Sequence, residues 1–278
     1  MKKIIFIASF LTLLISCATS GPKDQTPEEK KADLYYELGT NELMKKNYLG
    51  ALTSLLKARE FSPSDSKIRN NLGMAYYFKG QPDLAVAELK EAISLDKKNS
   101  DAKINLGTIY FEKKKYKEAR RLYEEVLTNI TFENQFRTYY NLSLVDLAEG
   151  DRKGAFEYLA KAISEKDNYC PAHFKLGQLY SEEYKFKDAL ASYREAGKGT
   201  CVSEPAPLYE QAVTLVNLDR KEEAAKKFQE VITKFPTTQY KKMAISQVNQ
   251  LNHHIDSEEE SLSINRKQTE VIPNSPKF

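Results

Sequence analysis

Leu72-Gly73-Met74-Ala75-Tyr76 is answered 34 residues later by Leu106-Gly107-Thr108-Ile109-Tyr110. A leucine, a glycine and, three positions on, a tyrosine return in the same order. The same pair recurs as Leu38-Gly39 and as Leu176-Gly177, the latter followed by Tyr180. Leu142-Ser143 and Gln211-Ala212 fall in the same register. The second members of these pairs follow one another at intervals of 34, 34, 36, 34 and 35 residues. Twelve positions after each comes a small residue: Ala51, Ala85, Ala119, Ala155, Ala189 and Ala224. Seven further on stand Ala58, Ala92, Val126, Ala162, Ala196 and Val231, and Pro63 and Pro236 close their units. A fixed period of this length is the signature of a stacked array.

Period, small residues and aromatics together resemble the tetratricopeptide repeat (TPR). The resemblance implies two antiparallel helices per unit. The small residues would sit where the two backbones approach most closely, and Leu, Tyr and Phe would fill the space between units. One unit cannot bury its apolar face alone, so neighbours must stack. The expected fold is all-α: a TPR superhelix, or α-solenoid, of about six helix-turn-helix repeats over 32–65, 66–99, 100–133, 136–169, 170–203 and 205–238. The sixth lacks the Leu-Gly pair. Met243, Val248, Leu251 and Ile255 suggest that 239–256 is an amphipathic capping helix. Residues 257–278 are polar, with Pro273 and Pro276, and are expected to be disordered. A composition 41% hydrophobic and 29% charged suits a folded array.

The chain opens on an address. Met1-Lys2-Lys3 is a basic start, and Ile4 to Ile15 is an apolar run broken by Ser9 and Thr12. That run is shorter than the ~20 apolar residues a spanning helix needs, and it fits a secretory signal. Leu14-Ile15-Ser16-Cys17 follows. It resembles the lipobox of bacterial lipoproteins, which implies removal of residues 1–16 and acylation of Cys17. Ala18 after the cysteine implies sorting to the outer membrane, on its periplasmic side. Residues 17–31 would then be the lipidated cysteine and a flexible tether.

Charge excludes little and favours nothing basic. There are 42 Lys and Arg against 39 Asp and Glu, a net charge of +3, so nucleic acid is not an expected partner. No Ser/His/Asp set, glycine-rich phosphate loop, HExxH or paired-cysteine zinc pattern is present in the sequence. His253 and His254 are adjacent and would face in two directions on a helix. The expectation is a binding scaffold and not an enzyme, with no metal, no cofactor and no small-molecule substrate.

The TPR resemblance also carries a binding face, lined by the first helix of each unit. Its positions here are Tyr36, Thr40, Leu43 and Met44, then Asn70, Met74, Tyr77 and Phe78. Ile104, Thr108 and Phe111 follow, and then Tyr140, Leu144 and Leu147. Only Asn70 fits the Lys/Asn clamp with which some TPR proteins hold a carboxylate tail. The face reads as apolar and aromatic, suited to an amphipathic helix or an extended peptide.

A lipobox followed by six TPR units resembles the type IV pilus pilotin family. The resemblance rests also on the two-residue excess around Asn129-Ile130-Thr131-Phe132-Glu133-Asn134, on Asn141-Leu142-Ser143-Leu144-Val145, and on Lys234-Phe235-Pro236 through Tyr240. It implies a protein partner, an outer-membrane secretin, whose placement and multimer assembly the protein would promote. The alternative is a general periplasmic scaffold lipoprotein for outer-membrane or cell-wall assembly complexes.

Two cysteines remain. Cys170 and Cys201 are the first and thirty-second residues of the fifth unit. Antiparallel helices bring the start of the first and the end of the second to the same end of the hairpin. A disulfide is expected between them, in a compartment that permits it.

Overall fold

The computed structural model describes residues 25–198 and 201–252. Its helices come in pairs. The first three pairs are α1 (Pro27–Met44) with α2 (Tyr48–Phe61), α3 (Ser66–Phe78) with α4 (Pro82–Leu95), and α5 (Ser100–Glu112) with α6 (Tyr116–Leu127). Then come α7 (Gln135–Glu149) with α8 (Arg152–Glu165), α9 (Cys170–Glu182) with α10 (Phe186–Ala196), and α11 (Pro205–Asn217) with α12 (Lys221–Lys234). A last helical stretch, α13, runs over 239–252. No strand occurs among the described residues.

α1 starts earlier than the period alone suggests. The Thr26 hydroxyl accepts from the Glu29 amide, and the Glu29 carboxylate accepts from the Thr26 amide. This reciprocal cap, with Pro27 in the first turn, satisfies orphan donors and fixes the start five residues before the expected 32. The tether expected through 31 is shortened accordingly, and its part before residue 25 lies outside the described residues.

Inside each pair the turn is built one way. Lys46, Gly80, Lys114, Gly150, Tyr184 and Asp219 all have positive φ, between 57° and 88°. The residue after each returns its amide to a carbonyl five positions back. These bonds are Asn47 to Glu42, Gln81 to Tyr76, Lys115 to Tyr110, Asp151 to Asp146, Lys185 to Tyr180 and Arg220 to Leu215, each 2.8–2.9 Å. A single left-handed residue thus closes the first helix, and its neighbour begins the second.

The small residues hold the pairs together. Ala51, Ala85, Ala119, Ala155, Ala189 and Ala224 are fully buried. The glycine of the first helix meets a side chain sixteen residues on. A Cβ built at Gly107 would lie 2.5 Å from Tyr123 Cε1, and one at Gly39 would lie 2.5 Å from Leu55 Cγ. No side chain fits there unless its partner moves. Between units the apolar clusters are shared. Ala85, Leu89 and Ala92 of the second pack on Ala102, Leu106 and Ile109 of the third. Ion pairs add to the seams: Arg120 of α6 reaches Asp146 and Glu149 of α7, both at 2.6 Å, and Asp146 is buried. The two extra residues before the fourth pair are absorbed in the loop 128–134, where Gln135 Nε2 donates to the Asn129 carbonyl at 3.0 Å.

α13 covers the end of the array. Its Tyr240, Ala244, Val248 and Leu251 pack on Tyr209, Leu215 and Phe228. Met243, expected on that face, is exposed, because it falls one position off the stripe set by 240, 244, 248 and 251. Residues 253–256, with His253, His254 and Ile255, and the tail 257–278 lie outside the described residues.

Candidate partner groove

α1, α3, α5 and α7 touch one another in succession, so the first helices of the units line one continuous face. The structure sorts the expected groove residues into three groups. Tyr36, Leu43, Met74, Tyr77, Phe111, Tyr140 and Leu144 are half-buried, each presenting part of its side chain to solvent. Tyr36 and Leu43 rest on Ala51, Leu52 and Leu55. Phe111 leans on Tyr116 with centroids 5.5 Å apart, and Tyr140 meets the edge of Tyr169 at 5.7 Å.

The second group is core. Ile104 is 2% exposed and sits among Ala119, Tyr123, Val126, Leu142 and Val145. It belongs to the seam between units three and four, and not to the groove. Asn70 is 9% exposed, and its amide is already engaged on both sides. Its Nδ2 donates to Asn71 Oδ1 at 3.0 Å, and its Oδ1 accepts from Asn105 Nδ2 at 2.8 Å. Asn70 therefore positions its neighbours and is no clamp residue. The third group, Met44 and Phe78, stands exposed at the ends of α1 and α3, on the edge of the array.

The sequence reading missed the residues beside Asn70. Asn71 Nδ2 donates to Thr40 Oγ1 at 2.8 Å. With the bonds from Asn105 through Asn70, a line of amides runs from α5 across α3 to α1. The signal was in the repeat: Asn71, Asn105 and Asn141 each immediately precede a Leu-Gly or Leu-Ser pair. Fixed amides of this kind suit a peptide backbone, which offers both donors and acceptors.

Electrostatics in the groove come from burial. Burial raises the phenols of Tyr36 and Tyr140. Burial, and then the carboxylate of Glu112 that accepts its hydroxyl proton, push Tyr77 up to about 12. These tyrosines are neutral donors at any physiological pH. Farther along, on α11, burial raises the carboxyl of Glu210.

The remaining predicted positions are placed as follows. Cys170 opens α9 and Cys201 lies in the connection from α10 to α11, with Cα atoms 6.1 Å apart and sulfurs joined. Cys17 lies outside the described residues. Among the described residues no group of His, Cys, Asp and Glu could hold a metal ion.

Family models for the tetratricopeptide repeat match residues 79–130 and 208–238. The type IV pilus assembly protein PilF of Pseudomonas aeruginosa is 28% identical over 186 residues, which are 65% of this chain and 73% of that protein. The solved structure of Pseudomonas aeruginosa PilF superposes with a TM-score of 0.66 at 22% identity, covering 80% of this chain and all of the other. This is a TPR superhelix, similar in sequence to PilF. PilW, described as a widely conserved type IV pilus biogenesis factor, shares the TPR fold with a TM-score of 0.66 at 15% identity, over 77% of this chain and 98% of its own. Among the described residues no helix is long and apolar enough to cross a membrane.

Proposed function

We propose that this protein is a TPR scaffold in type IV pilus biogenesis, without catalysis of its own. The finer reading is a pilotin. Acylated Cys17 holds it to the outer membrane on the periplasmic side, and its groove promotes the placement and multimer assembly of an outer-membrane secretin. The observation that carries this is the sequence similarity to PilF across 73% of that protein. The groove supports it: half-buried Tyr36, Met74, Tyr77, Phe111 and Tyr140 offer aromatic and apolar contact, and the side-chain amide of Asn105, bonded only through its Nδ2 among the described residues, offers register. A secretin segment laid along α1, α3, α5 and α7 would be held by both.

Deleting the gene tests the reading, with heat-resistant secretin multimer in the outer membrane as the measure. The expected result is a marked loss. Tyr77→Ala with Tyr140→Ala should reproduce part of it while the helical signal survives, since truncating an aromatic anchor costs ~2 kcal/mol or more. Normal multimer in the deletion strain removes the pilotin reading. Mass spectrometry of the native protein should find an acylated N-terminal Cys17. An unmodified thiol there removes the anchor.

A further inference from the structure

The turns inside the units lie on one edge of the array, because each joins the end of a first helix to the start of its antiparallel partner. In units one to three these turns are knit together. Tyr48 stacks on Phe78 with centroids 5.1 Å apart. Tyr77 donates its hydroxyl to Glu112, and Lys113 Nζ lies 2.8 Å from Asp83 Oδ1. Four large apolar side chains project from this edge: Met44 is 79% exposed, Leu49 67%, Leu84 50% and Phe78 47%. Among them stand Lys45, Lys46, Lys79, Lys113, Lys114 and Lys115, all exposed.

Charge on the edge is one-sided. Of the carboxylates present, Glu42, Asp83 and Glu112 are engaged by Lys45, Lys113 and Tyr77, and Glu118 stands exposed in the first turn of α6. Lys46, Lys79 and Lys114 form no ion pair among the described residues. Two of these three are costly to keep. Lys46 and Lys114 occupy left-handed positions, φ 61° and 57°, where the second unit has the unstrained Gly80. The turns of the last three units serve as an internal contrast. Glu149-Gly150-Asp151-Arg152, Glu182-Glu183-Tyr184-Lys185 and Asp219-Arg220-Lys221 hold five acidic residues and four basic ones, against Glu112 and six lysines in the turns of units one to three.

We infer that the edge formed by the turns of units one to three is a membrane-docking surface, its apolar side chains entering the headgroup layer and its lysines pairing with anionic lipid. Apolar side chains rimmed by lysine are what an interfacial surface requires. The centre of a protein interface is instead depleted in lysine, whereas here a lysine stands in every turn. The inference does not depend on the pilus reading. It agrees with an anchor at Cys17. The ten residues 17–26 can reach about 35 Å when extended, and the 18 residues of α1 that separate Pro27 from this edge span about 27 Å.

The chain contains no Trp, so a single introduced Trp is a clean reporter. Full-length protein carrying Leu49→Trp, Phe78→Trp or, on the opposite edge, Ile130→Trp would be reconstituted with phosphatidylethanolamine vesicles containing phosphatidylglycerol and brominated lipid. Emission at 49 and 78 should shift to the blue and be quenched by the brominated lipid, and emission at 130 should not. Adding Lys46→Glu, Lys79→Glu and Lys114→Glu should weaken the quenched state about tenfold or more, with unchanged melting of the protein. High salt should act in the same direction. Emission at 49 and 78 that stays water-like on the vesicles overturns the inference, as does equal quenching at 130 or no association with the vesicles. Burial of 49 and 78 by a co-purifying protein, with no lipid quenching, likewise overturns it.

Discussion

Tyr184 shows what a single position can cost. It is 81% exposed, touches only the edge of Phe186 among rings, and sits at φ 57°, where a bulky side chain crowds its own backbone. Tyr184→Gly should therefore stabilise by about 0.5–1 kcal/mol, since left-handed strain exceeds the entropy that glycine adds to the unfolded chain. Gly150→Ala is the converse. A Cβ there meets nothing within 4 Å, so its cost, about 1 kcal/mol, is strain alone. Denaturant unfolding measures both, and a destabilised Tyr184→Gly would contradict the account. Glu210 gives a pH dependence. Burial raises its carboxyl above the ordinary value, so the folded state binds that proton more tightly than the unfolded chain does. Its contribution to stability is present at low pH and is lost as pH rises through the raised value. Glu210→Gln should melt higher than the parent at neutral pH, with the gap closing toward about pH 4. A gap that widens on acidification would reverse the sign. Sequence made the small positions legible, because Ala51 or Gly107 admits little else at its contact. It did not separate Ile104 from Tyr36, which share a repeat position. Which of them reaches solvent depends on the seam beneath, and periodicity does not report it.

Paired helices were legible as elements because a hairpin repeats its own grammar at each turn. Their ends were less so. α1 gained five residues from the cap at Thr26, a local signal that lies outside the period. The stripe on α13 was read one position off at Met243, since spacings of three and four both satisfy a helix. The connection from α10 to α11 runs over 197–204 and carries Gly199, where units one, two and four exit through four residues. Cys201 ties it back to the start of α9 across 31 residues. On the chain-entropy model such a loop contributes about 3.5 kcal/mol. Denatured, unreduced native protein should titrate with neither Cys170 nor Cys201 free. Reduction should raise hydrogen exchange in α9 to α12 well before α1 to α6. Two titratable thiols at these positions, or uniform loosening, would refute the tie.

Among the described residues, the more extensive helix contacts join neighbours in the chain or helices next but one. Stability is then close to a sum over units and seams, and no distant pairing has to be found before the rest can form. This is why the fold was so readable: each seam is local, and each repeats the last. The groove was only partly readable, because curvature is the accumulated rotation of many seams and no short stretch encodes it. The same locality makes the protein a spring. With no extensive contact among the described residues bracing one end against the other, tension along its axis would be shared among the seams, each yielding a little. Any partner that pulls on it would meet a compliant link, with the give lying in the seams between the helices.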